Sequence, residues 1–354
     1  MTGGFFTMQV GIPREIKNNE NRVAMTPACV HDLIAHGALV TVETGAGLGS
    51  GFSDDDYRSA GAVIGSAADA WASRLVVKVK EPQPSEYGYF RPDLILFTFL
   101  HLAANEELED QLRKTGVKAI AYELVQLPDG SLPLLAPMSE IAGRLGALMA
   151  EYYLQKTQGG RGLLAGGVPG VEKARFTIIG AGTAGRAALQ AVVGMGADVT
   201  ILDNQIAKLA RLEEQYQSRV RTLFSNRKNL EDAVIASDAV ISTVLVPGAR
   251  APHLVTTDMV RRMPQGSVIV DIAIDQGGSV ETIPHSTTHD DPVLVIDGVT
   301  HYAVANMPGA VPRTATTALS NATLPYVLLL AQKGLDVLDI RPELARAILH
   351  DAKR

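Results

Sequence analysis

A chain of 354 residues exceeds one average domain of about 150 residues and predicts two. Its 46% hydrophobic and 20% charged content can bury a sizeable core and excludes disorder for the bulk of the chain. The 32 basic and 38 acidic side chains leave a formal net charge of −6, which removes the electrostatic footprint of a nucleic-acid binder. The single cysteine, Cys29, cannot form an internal disulfide, so the chain has no use for an oxidising compartment and a cytoplasmic location is expected. Residues 1–7 carry no basic region followed by an apolar stretch, and no later apolar run reaches about 20 residues, so neither secretion nor a membrane span is predicted.

From residue 10 to about 126, short β-branched runs at 10–12, 39–43, 75–80, 95–100 and 119–124 alternate with helical segments, the pattern of a parallel sheet covered by helices. Thr26 as N-cap, Pro27 at the first position and Gly37 beyond the end predict a helix over 27–35. After the turn at Pro128-Asp129-Gly130, Ile141, Leu145, Leu148, Tyr152 and Gln155 recur three or four apart and predict a long helix over 139–156. Residues 157–171 hold six glycines and one proline and read as a loop.

A second alternating block follows, with strands at 176–179, 198–202, 239–243, 267–272 and 293–296 and helices at 184–195, 205–217 and around Leu230. A helix over 316–333 follows a proline-punctuated stretch, where the chain is expected to return to the first domain. The fold expected is α/β: two Rossmann-like domains with mainly parallel sheets and the active site in the cleft between them. The boundaries are 1–136 with 308–354 for a substrate domain and 137–307 for a nucleotide-binding domain.

The strand ending at Ile179 runs into Gly180-Ala181-Gly182-Thr183-Ala184-Gly185 and then into a helix. In that context Gly180 permits the tight turn, Gly182 lets the backbone approach a pyrophosphate, and Gly185 lets helix and strand pack closely, with the helix N-terminus facing the anion. Asp203 ends the next strand, 18 residues past Gly185. An acid there binds both ribose hydroxyls and repels a 2′-phosphate, so NAD is expected rather than NADP, a preference that the nearby Lys208 and Arg211 weaken. An ordinary βα turn would account for the glycines but leaves Asp203 unexplained.

Substrate chemistry then falls to strand ends in the first block. Alternation puts Lys78 and Lys80 on one face before Pro82, so Lys80 can meet a carboxylate or a carbonyl; a solvated basic strand end fits the same pattern. His101 closes an apolar strand and can exchange a proton near pH 7, although a histidine so placed is more often a satisfied core residue. Arg14, Lys17, Glu20 and Arg22 form a polar loop at the same edge, where one arginine could fork onto a carboxylate. Asp271 and Asp275 stand at a strand end in the second block, Asp275 beside glycines, as a loop cap or as an acid/base partner. His285 and His289 lack a third ligand, so no metal site is expected.

Taken jointly, Gly11-Ile12-Pro13-Arg14-Glu15, Asn18 to Val23, KVKEP from Lys78, FLHLA from Phe99, GGVPGVE from Gly166, GAGTAG from Gly180 and DIAIDQGG from Asp271 resemble the alanine dehydrogenase family over nearly the whole chain. The resemblance implies NAD-linked, reversible oxidative deamination of L-alanine to pyruvate and ammonia. It implies substrate binding by Arg22 and Lys80, catalysis by His101 and Asp275, and cofactor contacts at Ser139, Asp203, Lys208, Ser225, Val304, Asn306 and Met307. It also implies a homohexamer. The segment 279–285 departs from the family in lacking an arginine for a further cofactor contact. The NAD-binding subunit of proton-translocating transhydrogenase is similar through the N-terminal motif and the glycine turn, but the presence of Lys80 and His101 favours the dehydrogenase. A saccharopine- or lysine-pathway reductase shares the domain plan, and a bare NAD-binding regulator is the non-enzymatic alternative.

Overall fold

The structure, a computed structural model, describes residues 8–102, 105–244 and 252–349. The chain divides into two compact units, Met1–Met138 with Val311–Arg354, and Ser139–Ala310. In chain order the elements begin with β1 (Gln9–Ile12), α1 (Pro27–Ala35), β2 (Leu39–Glu43), α2 (Asp54–Ser59), β3 (Val63–Gly65), α3 (Ala67–Trp71), β4 (Leu75–Val77), β5 (Ile95–Thr98), α4 (Glu106–Thr115), β6 (Lys118–Ala121) and α5 (Ala136–Leu154). They continue with β7 (Arg175–Ile179), α6 (Thr183–Met195), β8 (Asp198–Asp203), α7 (Ile206–Tyr216), β9 (Arg221–Phe224), α8 (Arg227–Ile235), β10 (Ala239–Ser242), α9 (Thr257–Arg262), β11 (Val268–Asp271), β12 (Val293–Ile296), β13 (Val299–Tyr302), α10 (Pro312–Lys333) and α11 (Pro342–Ala347).

In the first unit all strand pairs are parallel, in the order β3-β2-β1-β4-β5-β6. Every residue of β4 and β5 is buried, and apart from Thr98 these strands read as continuous apolar runs rather than as alternation, as strands covered on both faces do. The chain moves outward from β1 to β3 and then returns to β4, so the order reverses between β1 and β4. In an open α/β sheet the ligand crevice lies outside the carboxyl ends at such a reversal. On that rule a ligand of this sheet would meet the loops leaving β1 and β4.

In the second unit the order is β12-β13-β11-β10-β7-β8-β9, parallel except for β12 against β13, and its reversal falls between β7 and β10. The parallel-dominated, two-part α/β architecture expected from the sequence is the one observed. The segment that follows Arg22 is fastened to α10 within the first unit. Val23 N–H donates to Thr316 Oγ1, Thr26 N–H donates to Ser320 Oγ, and Ser320 Oγ donates to the Ala24 carbonyl, each at 3.1 Å.

Three strands escaped the sequence reading. β3 is short and β9 is partly exposed, and neither forms a buried apolar run. β13 reads Val-Thr-His-Tyr, polar in composition yet wholly buried, because Thr282 Oγ1 and the Val299 carbonyl satisfy the ring nitrogens of His301. The turn before it, Asp297-Gly298 with φ of 49° and 76°, is a strong local hairpin signal and closes β12 onto β13. The strand expected over 75–80 ends at Val77, and the Val79 N–H donates instead to Glu15 Oε1 at 2.6 Å.

Candidate active site

In the first unit Arg22 lies in the loop after β1 and is only 3% exposed. Its Nε donates to Glu20 Oε1 at 2.6 Å and its Nη2 to Glu20 Oε2 at 2.5 Å, while Nη1 lies 3.1 Å from Met138 Sδ. A buried fork of this kind is tolerable because the paired carboxylate offsets desolvation, and it holds the guanidinium plane in one orientation. Lys80, in the loop after β4, is also buried, and Thr98 Oγ1 donates to its carbonyl at 2.9 Å.

Lys78 is placed otherwise. Its ammonium sits 3.2 Å from Glu15 Oε2, 2.9 Å from Glu86 Oε1 and 5.8 Å from the Trp71 ring centroid, with the side chain 1% exposed. Two carboxylates around one ammonium leave a surplus negative charge in the core. Burial pushes the Glu15 carboxyl up from 4.5 to about 7, with Lys78 opposing the shift. Above the unfolded value of about 4.3 the unfolded chain releases this proton while the folded chain still holds it. The stabilisation is therefore complete below about pH 4.3 and is lost as pH rises through about 7. Denaturant unfolding of Glu15→Gln between pH 5 and 7.5 is expected to lack this component, up to about 1.4 kcal/mol per pH unit. Parallel curves for wild type and variant would refute it.

His101 follows β5 in the left-handed region, φ 50°, an uncommon place for a side chain of this size. Glu123, after β6, holds that turn: its Oε1 accepts the His101 N–H at 2.6 Å, and both its oxygens accept the Leu100 N–H at 3.2 Å. Strained backbone maintained in this way recurs at functional positions. The imidazole Nδ1 lies 3.5 Å from Glu81 Oε2, and Glu81 Oε1 accepts from Lys17 Nζ. Burial works against the charged form of Glu81, but His101, Lys80 and Lys17 outweigh it and hold the carboxyl well below the usual carboxylate range.

In the second unit β7 runs into the glycine turn. Gly180 has φ 98°, and a Cβ at Gly185 would stand 1.9 Å from the Gly180 carbonyl oxygen, so neither position accepts a side chain without strain. A Cβ at Gly182 would meet nothing within 4 Å, which leaves open space beside the backbone where α6 begins. Gly182 caps α6 without a side-chain hydrogen bond, so the first N–H groups of a 13-residue helix face that space. Asp203 ends β8 with Oδ2 accepting the Ala181 N–H at 2.7 Å and Oδ1 accepting the Gln205 N–H at 2.8 Å. Lys208 Nζ is 3.7 Å from the same carboxylate, and Ser225 N–H donates to the Asp203 carbonyl at 3.0 Å.

Gly143 lets α5 lie against the start of α6, since a Cβ there would be 2.1 Å from the Ala184 carbonyl oxygen; Ser139 stands one turn earlier on that face. The glycine turn, Asp203, Lys208 and Ser225 thus gather at the carboxyl ends of β7 to β9.

Asp275 is exposed beyond β11, and its carboxylate accepts the Asn306 N–H at 3.1 and 3.3 Å. Asn306, φ 59°, follows β13 in a loop that Thr287 braces through backbone bonds with Ala303 and Ala305. Val304 and Met307 are buried in the core, so only their backbone can reach a ligand. Asp271 is fully buried and accepts the backbone N–H groups of Ala273, Ser279 and Val280, a turn organiser with no reach to solvent. Among the described residues no group of three or more His, Cys, Asp or Glu side chains could hold a metal ion. No described helix is long and apolar enough to cross a membrane. A cavity of about 260 Å³ bordered by Arg175, Asp198 and Arg221 opens at the amino ends of β7 to β9, the edge away from the glycine turn.

The sequence reading missed Glu81, Glu123 and Met138. Glu81 adjoins Lys80 and could have been weighed with it; Glu123 and Met138 carry no local signal.

Residues 11–142 match the alanine dehydrogenase/PNT N-terminal domain, and residues 146–353 match the alanine dehydrogenase/PNT C-terminal domain. Alanine dehydrogenase of Staphylococcus haemolyticus (strain JCSC1435) is 58% identical over 92% of this chain and 88% of its own length. Alanine dehydrogenase 2 of Staphylococcus aureus (strain USA300) is 58% identical with the same coverage. A solved L-alanine dehydrogenase superposes with a TM-score of 0.94 at 51% identity, covering 98% of this chain and 96% of that one. A transhydrogenase from Sinorhizobium meliloti reaches a TM-score of 0.80 at 28% identity, covering 96% of each chain. With both domain families matched in order and relatives of this identity spanning nearly its full length, the chain belongs to the alanine dehydrogenase/PNT family.

Proposed function

We propose that this protein is a cytoplasmic, NAD-dependent L-alanine dehydrogenase that interconverts L-alanine with pyruvate and ammonia. The observation that carries the reading is that Arg22, Lys80 and His101 follow β1, β4 and β5 of the first sheet, at its carboxyl edge, in a chain 58% identical to an alanine dehydrogenase. The substrate domain is assigned to 1–136 with 308–354 and the dinucleotide domain to 137–307.

Arg22, its plane set by Glu20, takes the substrate carboxylate, and Lys80 faces the Cα substituent. Fixing Cα in this way makes hydride transfer effectively intramolecular. NAD, when bound, supplies the hydride acceptor. His101 takes and returns the protons needed when water adds to the imine and ammonia leaves, and Asp275 is the second residue assigned to acid/base chemistry. The fit of the dinucleotide rests on the open space at Gly182, the uncapped N-terminus of α6 and the Asp203 carboxylate, with Ser139, Lys208, Ser225 and the backbone of Val304, Asn306 and Met307 as further contacts.

A homohexamer is part of the same reading; exposed Leu148, Tyr152, Leu164, Val168 and Val171 of the second unit supply apolar surface for self-association. Absorbance of NADH with pyruvate plus ammonia, against 2-oxoglutarate plus lysine and against no substrate, tests the reaction. Turnover confined to the second pair, or absent from both, would overturn it.

Asp203→Ala is expected to raise the NADP:NAD ratio of kcat/KM by roughly tenfold, about 1.4 kcal/mol of differential binding. Because the variant also loses the acceptor of the Ala181 N–H, the ratio rather than either rate is the informative quantity. An unchanged ratio refutes the ribose contact.

A further inference from the structure

Glu81 Oε2 and His101 Nδ1 are both buried, lie 3.5 Å apart, and have no hydrogen-bond partner among the described residues. The other oxygen of Glu81 is taken by Lys17 from the loop after β1, and Lys80 adds a second positive charge from the adjacent position. On the neighbouring elements, the Tyr87 hydroxyl lies within electrostatic reach of Glu81, and the Glu123 carboxylate is engaged with the Leu100 and His101 N–H groups. An ionised carboxylate only accepts, so the ring nitrogen that faces it must carry the proton. The separation is about 0.5 Å longer than an ordinary N–H···O bond, and catalytic hydrogen bonds commonly shorten on substrate binding.

We propose that Glu81 is a positioning residue that holds the His101 proton on Nδ1 and leaves Nε2 as the nitrogen that exchanges protons with substrate. The role rests on the dehydrogenase reading for its catalytic consequence but not for its tautomer. Three features of the fold meet in it. The β4 exit loop delivers Glu81, Lys17 fixes its orientation, and the left-handed turn braced by Glu123 brings His101 to it. Carboxylates that fix an imidazole tautomer act this way in other enzymes, where loss of the acceptor leaves geometry intact and lowers turnover.

The test uses the full-length protein and its Glu81→Gln and Glu81→Asp variants. A magic-angle-spinning ¹⁵N spectrum of histidine-labelled protein near pH 8, with His101 assigned by substitution, is expected to give an Nδ1-protonated ring in wild type and a tautomer mixture in Glu81→Gln. In the assay, Glu81→Gln is expected to lower kcat by roughly 10- to 100-fold and to leave the NADH Kd within about twofold. Glu81→Asp, which keeps the charge and shortens the reach, is expected to keep the proton on Nδ1 and lose roughly three- to tenfold in kcat, so a folding failure of the glutamine variant does not protect the proposal. A wild-type proton on Nε2, or wild-type kcat in either folded variant, overturns it. An Nδ1-protonated His101 in a protein inactive with pyruvate and ammonia instead refutes the dehydrogenase reading and leaves the Glu81 contact standing.

Discussion

His101→Ala is expected to lower kcat by at least about a hundredfold, the usual scale of a lost general acid/base, while NADH affinity is largely kept. The two effects separate because His101 belongs to the first unit, whereas the glycine turn and Asp203 belong to the second. The His101 side chain is 29% exposed and its backbone is fastened through Glu123, so truncation leaves the backbone turn in place. Asp275→Asn is expected to cost as much, because the amide oxygen can still accept the Asn306 N–H and only the charge is lost. Steady-state kinetics with a parallel NADH fluorescence titration measures both. Near-normal turnover in both variants removes the acid/base assignment, and weakened NADH binding without loss of kcat moves these residues to a cofactor role.

Lys78→Met is expected to destabilise the fold by about 3–5 kcal/mol, the scale for breaking a buried ion pair by removing one partner. The ammonium faces two buried carboxylates, and Glu86 also accepts the Gln83 N–H at 2.7 Å, so it cannot turn away without a second loss. The triple variant Lys78→Met, Glu15→Gln, Glu86→Gln is expected to regain most of that stability, since a neutral cluster carries little desolvation penalty. Urea unfolding at pH 7.5 provides the comparison. A Lys78→Met variant within about 1 kcal/mol of wild type would mean that the pair is hydrated as surface pairs are. The exposed Lys228–Asp232 pair is the control, at 76% and 52% exposure, where substitution is expected to leave the urea midpoint essentially unchanged.

The contrast between Lys78 and Lys80 marks where local pattern stops being informative. Both follow the same apolar strand and are two residues apart, yet one is a core ion pair, and only its partners decide that. Glu86 is near in sequence, while Glu15 is 63 residues away in the loop after β1. Met138 against Arg22 is a comparable case at a separation of 116 residues. The Asp297-Gly298 hairpin is a different kind of miss: its turn signal was present, and the polar composition of β13 hid the strand.

Features that depend on neighbours in the chain were settled by the amino-acid order alone. The Thr26 cap and Pro27 start set α1, and apolar runs set where β4 and β5 begin, although not where they end. The spacing of Gly180, Gly182 and Gly185 between a strand and a helix made the tight turn from β7 into α6, because steric freedom at a glycine is a property of that residue. Tertiary structure alone decided which charges are buried, which carboxylate braces His101, and which acid the imidazole faces. Burial and ion pairing are set by groups that the strand order brings together from distant loops, and the cost of removing a charge from water depends on those partners rather than on its place in the chain.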